Sequence, residues 1–215
     1  VIWSLTKDHA AVLEDLYGAP GVSIAVGTYP EFQRLCAGRY SKPLLNAACG
    51  MDPCRLGELF GAINLDAFDP DEEVPKRRSR VPNFVKGSVF ALPYPDEHFP
   101  TIILGEFIEH ATFDAAVRAL VGCRRVLTAN GVLVLTFPVD GTPLDQQPHF
   151  DPPQDCGFHE DGDVSGRHQT FWSVLMLHEL FKAAKLIVLE RSALFYPWVN
   201  PTAGWGIVLR KDQRA

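Results

Sequence analysis

Residues 44–53 read Leu44-Leu45-Asn46-Ala47-Ala48-Cys49-Gly50-Met51-Asp52-Pro53. A short apolar run gives way to small residues and then to proline, which is favoured in the first turn of a helix. That is the order of a buried strand, a tight turn and a helix start. Small residues let a ligand approach the backbone closely. Only one glycine, Gly50, stands in the turn. Taken alone, the stretch fits a nucleotide-binding loop and an ordinary strand end equally well.

Outward from this turn, apolar runs alternate with helix-like segments, the pattern of a mostly parallel α/β sheet. Residues 43–48 read as a strand, 54–60 as a short helix, and 62–65 as a second strand ended by Asp66. Asp66 lies 20 residues after Asn46, where an acid can accept hydrogen bonds from ribose hydroxyls. Residues 71–78 carry acids first and bases last, which suits a helix dipole. Residues 83–86 and 101–104 read as further strands. In the segment 113–127, Ala116, Leu120, Cys123 and Leu127 share one helical face. Asn130-Gly131 then turns the chain into 132–137, VLVLTF, the clearest buried strand. Residues 171–184 form another amphipathic helix, and 186–189 and 206–209 are late strands placed to pair antiparallel. Residues 1–42 give one helix, about Thr6 to Tyr17, followed by Gly/Pro-containing chain. Residues 138–168 are rich in Pro, Asp, Gly and His and show no periodicity. They follow VLVLTF directly, where a loop covers the ligand crevice of an open α/β sheet.

The 215 residues are 47% hydrophobic and 21% charged, which implies one globular domain rather than a disordered chain. A net charge of -6 argues against nucleic acid as the main partner. The one basic run, Lys76-Arg77-Arg78-Ser79-Arg80, reads as a solvated helix end. Cys36, Cys49, Cys54, Cys123 and Cys156 are odd in number and form no CxxC pair, so a reducing compartment is expected. No run of about 18 apolar residues occurs, and nothing resembles a signal peptide. A cytoplasmic location without a membrane partner is the expectation.

Residues 87–110 read GSVFALPYPDEHFPTIILGEFIEH. With its surroundings this resembles the class I S-adenosylmethionine (SAM)-dependent methyltransferases. The group it is most similar to acts on small molecules and glycans and has an LNxGCG-type first motif. LLNAACG resembles that motif, INLD the acid-ended second strand, and LPYPDEHF with TIILGEFIEH the family's LPFPDxSFD…EVIEH segment. CRRVLTANGVLVLTFP resembles the RVLKPGGxLxLxxP helix, turn and strand. Residues 169–211 match more loosely.

The resemblance implies a Rossmann-like class I fold, a mostly parallel seven-stranded sheet in the order 3-2-1-4-5-7-6 with helices on both faces. It makes 1–215 a single methyltransferase-like domain: an N-terminal cap (1–42), a SAM-binding core (43–137), an irregular active-site loop (138–168), and a substrate-side helix with the last strands (169–215). Ala48, Cys49 and Gly50 would approach the methionine part of SAM through their backbone, and Asp66 would hold the ribose. Ser88 and Val89 would lie at the adenine, with Phe68 packed on its ring. Glu106 would end a strand beside the cofactor, with Glu109 and His110 nearby. The chain departs from the family's pattern at Asn46 and Ser88, where acids are usual. It also departs at Ala48 and Asp52, where glycines are usual, and at Pro100 in place of an aspartate.

Methyl transfer from a sulfonium needs alignment more than acid–base machinery. A base helps when the acceptor is a hydroxyl or ammonium, and His110, His149, His159 and His168 are the candidates. The loop's His149-Phe150-Asp151, His159-Glu160-Asp161-Gly162-Asp163 and His168 offer nitrogen and oxygen ligands but match no defined metal spacing, and no metal is assigned. Asp151-Pro152-Pro153-Gln154 stands after the wrong strand to be a DNA-methylating motif. The expected activity is SAM-dependent methyl transfer to O or N of a small-molecule or sugar-like acceptor, in a possible homodimer. The alternatives are an inactive methyltransferase-fold scaffold and transfer of a group other than methyl.

Overall fold

The computed structural model describes residues 27–52, 54–67, 80–138, 168, 170, 172–196 and 202–213. The expected helices at Thr6–Tyr17 and 71–78, and most of the 138–168 loop, lie outside them. Eight strands form one sheet: β1 (Gly27–Thr28), β2 (Leu44–Ala47), β3 (Ile63–Asp66), β4 (Phe84–Lys86), β5 (Phe99–Gly105), β6 (Leu127–Pro138), β7 (Leu186–Tyr196) and β8 (Thr202–Lys211). Their order is β1-β7-β8-β6-β5-β2-β3-β4. Without the two-residue β1 this is the expected 3-2-1-4-5-7-6 arrangement. Only β8 runs antiparallel to its neighbours, β6 and β7.

Strict alternation explains why the central strands read as continuous apolar runs. In β5, Ile102 and Leu104 enter one core and Ile103 the other. In β6, Leu133, Leu135 and Phe137 face the first core, and Val132 and Val134 the second. The first core is covered by α3 (Phe113–Val126) and α4 (Val174–Ala183), the second by α1 (Tyr29–Arg39) and α2 (Leu56–Phe60). α3 starts where the Thr112 hydroxyl accepts from Ala115 N–H, and it carries Arg124 and Arg125 in its last turn. Arg125 donates to the carbonyls of Leu92 and Tyr94 and to Asp96. The arginine of one sequence segment thus clamps the LPYPDE loop of another.

Three elements differ from the sequence expectation. α1 forms where only Gly/Pro-containing chain is expected. Its apolar stripe is weak, but Thr28-Tyr29-Pro30-Glu31 is a helix-start signature, and both the Thr28 N–H and its hydroxyl donate to Glu31. Asn130-Gly131 does not precede the strand but sits inside β6. Phe99 pairs with Leu127 and Thr101 with Val132, so residues 128–131 bulge opposite Pro100 alone. The late strands are much longer than the apolar runs. β7 also skips a residue: Val188 pairs with Leu209 and Glu190 with Val208, leaving Leu189 between them without a partner on β8.

α1 rests on β8 because Gly206 leaves room for the Phe32 ring. A Cβ at Gly206 would lie 2.5, 2.6 and 2.8 Å from three atoms of that ring. A rigid ring in a closed core has no easy retreat. Gly206→Ala is expected to destabilise the fold by ~1–3 kcal/mol through overpacking, read as a lower urea midpoint. A midpoint equal to the wild type would show that α1 is not docked this way.

Candidate functional site

β2 and β5 are parallel neighbours at the centre of the sheet. Their connections leave in opposite directions, and the crevice beyond their carboxyl ends is where an open α/β sheet binds ligands. Beyond β2 the loop runs tightly: Ala48, Gly50 and Asp52 are all left-handed, with φ of 50°, 51° and 47°. Glycine adopts this freely, whereas an alanine or aspartate there costs about 1–2 kcal/mol.

Asp52 holds the loop. Its carboxylate is buried and accepts from the N–H of Leu56 (2.8 Å) and Gly57 (3.0 Å) at the start of α2. It also accepts from the Asn64 amide (3.2 Å) and the Asn46 amide (3.4 Å). Asn46 donates further to the Asn64 carbonyl oxygen at 2.8 Å, and Asn64 to the Pro82 carbonyl at 2.8 Å. Two departures from the family pattern therefore form one arrangement. An aspartate at 46 would set a second carboxylate against Asp52. The amide at 46 instead donates to Asp52, which carries the charge.

At the end of β3, the Asp66 Oδ2 accepts the Gly50 N–H at 2.7 Å, and the Leu65 carbonyl accepts the Cys49 N–H at 3.0 Å. The loop is thereby tied down from both sides. A cavity of about 220 Å³ lies over it. Asn46, Ala48, Cys49, Gly50 and Asp52 line it from β2 and its loop, and Gly105 and Glu106 from the end of β5. Tyr29 and Gln33 line it from α1. Gln33 Nε2 donates to Thr136 Oγ1 at 2.7 Å across Gly105, where a side chain has no room.

The cavity's lining includes two carboxylates, Asp52 and Glu106, and no Lys or Arg. Its negative field shows in its neighbours. Burial, then Glu106, raise the Tyr29 hydroxyl far above its ordinary value. Burial, then Asp52 and Glu106, push the Cys54 thiol up to about 12. Both stay protonated at neutral pH. Such a pocket favours a cation. Backbone N–H groups and space are present too: a Cβ at Gly50 would meet no atom within 4 Å. A cationic amino-acid group with an attached nucleoside fits this donor set, with Asp66 one hydrogen bond away.

A second cluster follows β5. Residues 108–110 form a single turn of 3-10 helix that buries Glu109. Burial, and then the nearby Glu106, raise the Glu109 carboxyl well above its ordinary range. The His110 and His168 rings meet edge to face at 4.9 Å. Residues beyond the long loop are stitched to this turn. Thr170 N–H donates to the Glu109 carbonyl, the Thr170 hydroxyl to the Ala111 carbonyl, and Trp172 Nε1 to the Ile108 carbonyl.

Of the candidate residues, Asn46, Ala48, Cys49, Gly50 and Glu106 meet at the cavity, and His110 meets His168. Ser88 and Val89 belong to a short turn after β4, where the Ser88 hydroxyl accepts from Phe90 N–H. Gly87 N–H ties that turn to the Asp66 carbonyl. Phe68 and His149 lie outside the described residues. Tyr29, Gln33 and Asn64 were not legible as site residues. The Thr28…Glu31 helix start was the one signal for the first two.

Residues 45–135 match the family model described as a methyltransferase domain. No curated protein matches the chain. Among solved structures, the fold is similar to 1,6-didemethyltoxoflavin-N1-methyltransferase of Burkholderia thailandensis, solved with 1,6-didemethyltoxoflavin and S-adenosylhomocysteine. That match has 18% identity and a TM-score of 0.58, over 85% of this chain and 77% of that one. It is similar also to a SAM-dependent methyltransferase of Methanosarcina mazei, with 15% identity and a TM-score of 0.59, over 86% and 99%. The [4+2]-cyclase SpnF shares the fold as well, with 15% identity and a TM-score of 0.57, over 94% and 92%.

Proposed function

From the premise that residues 45–135 are a class I SAM-dependent methyltransferase domain, we propose that the protein methylates O or N of a small-molecule or sugar-like acceptor. The carrying observation is the cavity at the β2/β5 crevice, lined by Asp52 and Glu106 without a basic residue and tied to Asp66 through Gly50. Bound SAM supplies a methyl group on positively charged sulfur. The carboxylates of Asp52 and Glu106 favour that charge and the neighbouring ammonium. The backbone of Ala48, Cys49 and Gly50 receives the methionine part. Asp66 takes the ribose hydroxyls, and Ser88 and Val89 border the adenine, with Phe68 on the ring. Tyr29 and Gln33, carried by α1, close the methionine end. The His110–His168 pair lies on the acceptor side and takes the acceptor's proton, with His149 in the loop beyond. The small-molecule activity of the toxoflavin enzyme agrees with this choice of acceptor class.

Titration of the full chain with SAM and with S-adenosylhomocysteine is expected to give saturable one-to-one binding. Mass analysis of the product is expected to show the gain of one methyl group. No binding at millimolar cofactor by folded protein overturns the reading. Binding with a rearranged but unmethylated product places the protein with the non-methylating users of this fold. Binding without any turnover, alone, favours a scaffold subunit.

A further inference from the structure

We propose that Glu109, His110 and His168 form a site for one divalent first-row cation of the Zn²⁺, Co²⁺ or Mn²⁺ class. One ligand atom from each residue lies within 4.8 Å of the other two. Glu109 Oε1 is 3.9 Å from His110 Nε2. A metal–ligand distance of about 2.0–2.2 Å puts two atoms sharing one ion roughly 3–4 Å apart, so small side-chain rotations close the set. Two imidazoles and one carboxylate suit these cations and leave coordination positions open.

The second observation concerns Glu109. It is only 2% exposed, and among the described residues its Oε2 has no hydrogen-bond partner. A buried carboxylate oxygen without a partner is uncommon and calls for an explanation. A bound cation satisfies it. Position gives the cation a use. Glu109 lies within electrostatic reach of Glu106, which lines the cavity, so the cluster neighbours that cavity. The backbone holds it there: Thr170 and Trp172 fasten the chain around His168 to the turn bearing Glu109 and His110. Of the loop ligands between 149 and 168 that the sequence offers, His168 takes part, and its partners Glu109 and His110 come from the turn after β5.

The use as an acceptor anchor rests on the methyl-transfer reading; cation binding does not. An acceptor with adjacent oxygen atoms would complete the coordination, and its hydroxyl would lose its proton more readily. In that state the two imidazoles are ligands rather than bases.

The test uses untagged full-length protein stripped with a chelator. Zn²⁺ is titrated calorimetrically, and Co²⁺ is followed by its visible absorption. One equivalent is expected to bind, with the Co²⁺ spectrum reporting nitrogen ligands. Glu109→Gln and His168→Ala are each expected to weaken binding at least tenfold. His168→Ala removes a half-buried side chain outside any helix or strand, so folding is preserved and checked by circular dichroism. Absence of saturable binding, or affinity unchanged in both variants, overturns the site. SAM titration of the metal-free protein separates the two readings: cofactor binding there, with no cation binding, removes this site and leaves the methyl-transfer reading standing.

Discussion

Asp52→Ala is expected to cost ~3–5 kcal/mol of folding stability, the largest effect of any single change near the site. Four donors converge on this carboxylate: two backbone N–H groups of α2 and the amides of Asn46 and Asn64. Asn46 and Asn64 are buried with it, at 5% and 0% exposure, so water cannot replace the lost acceptor. A hydrogen bond to a charged group contributes about 1.5–3 kcal/mol, and a stranded buried donor costs ~1–3 kcal/mol. Counting only the two shortest bonds reaches the stated range. Against a total stability of roughly 5–15 kcal/mol, this is a large share. Asp52→Asn keeps one acceptor oxygen and is expected to lose about half as much. Urea denaturation of the three proteins checks it. A loss under about 1 kcal/mol for alanine would mean that the network does not hold the loop. SAM affinity should fall alongside, since the same carboxylate lines the cavity.

Asp66→Ala is expected to weaken SAM binding about a hundredfold or more while leaving the fold intact. The carboxylate has two tasks. Oδ2 holds the Gly50 N–H at 2.7 Å, and the carboxylate is assigned the ribose hydroxyls. Losing charged hydrogen bonds at about 1.5–3 kcal/mol each, with 1.4 kcal/mol per factor of ten, gives that magnitude. Adenosine affinity separates the tasks. If Asp66 holds ribose, adenosine binding falls with SAM binding. If SAM affinity stays within about threefold of wild type, Asp66 is a loop tether only and the ribose assignment fails.

The strands were legible because both faces of the central sheet are buried, and buried strands write themselves as apolar runs. Ile102, Ile103 and Leu104 needed no partner information to be placed. α1 was not legible, because its stability comes from Phe32, Cys36 and Ala37 meeting β8 and the second core, not from a strong stripe of its own. The site divides in the same way. Gly50 and Asp66 stood at spacings that local chemistry explains. The pairing of Asn46 with Asp52 could not be read from the sequence, since each looks like a separate loss until the distance between them is known. The meeting of His168 with Glu109 and His110 spans 58 residues of chain from His110 and depends on Thr170 and Trp172, whose hydrogen bonds no periodicity announces.

The skipped residue in β7 has a consequence for how the molecule behaves in company. Among the described residues, β1 covers only Leu194 and Phe195 on that side of β7. Among the described residues no strand pairs with 186–193 on that side, and its start, Leu-Ile-Val-Leu, is the composition that recruits strands from other chains. Leu189 breaks the regular spacing midway, and charged Glu190 and Arg191 follow at once, Glu190 already paired with Arg39. A strand arriving from another copy would find no continuous ladder to extend. A bulge beside charged residues is one of the devices by which sheet edges resist pairing with other chains.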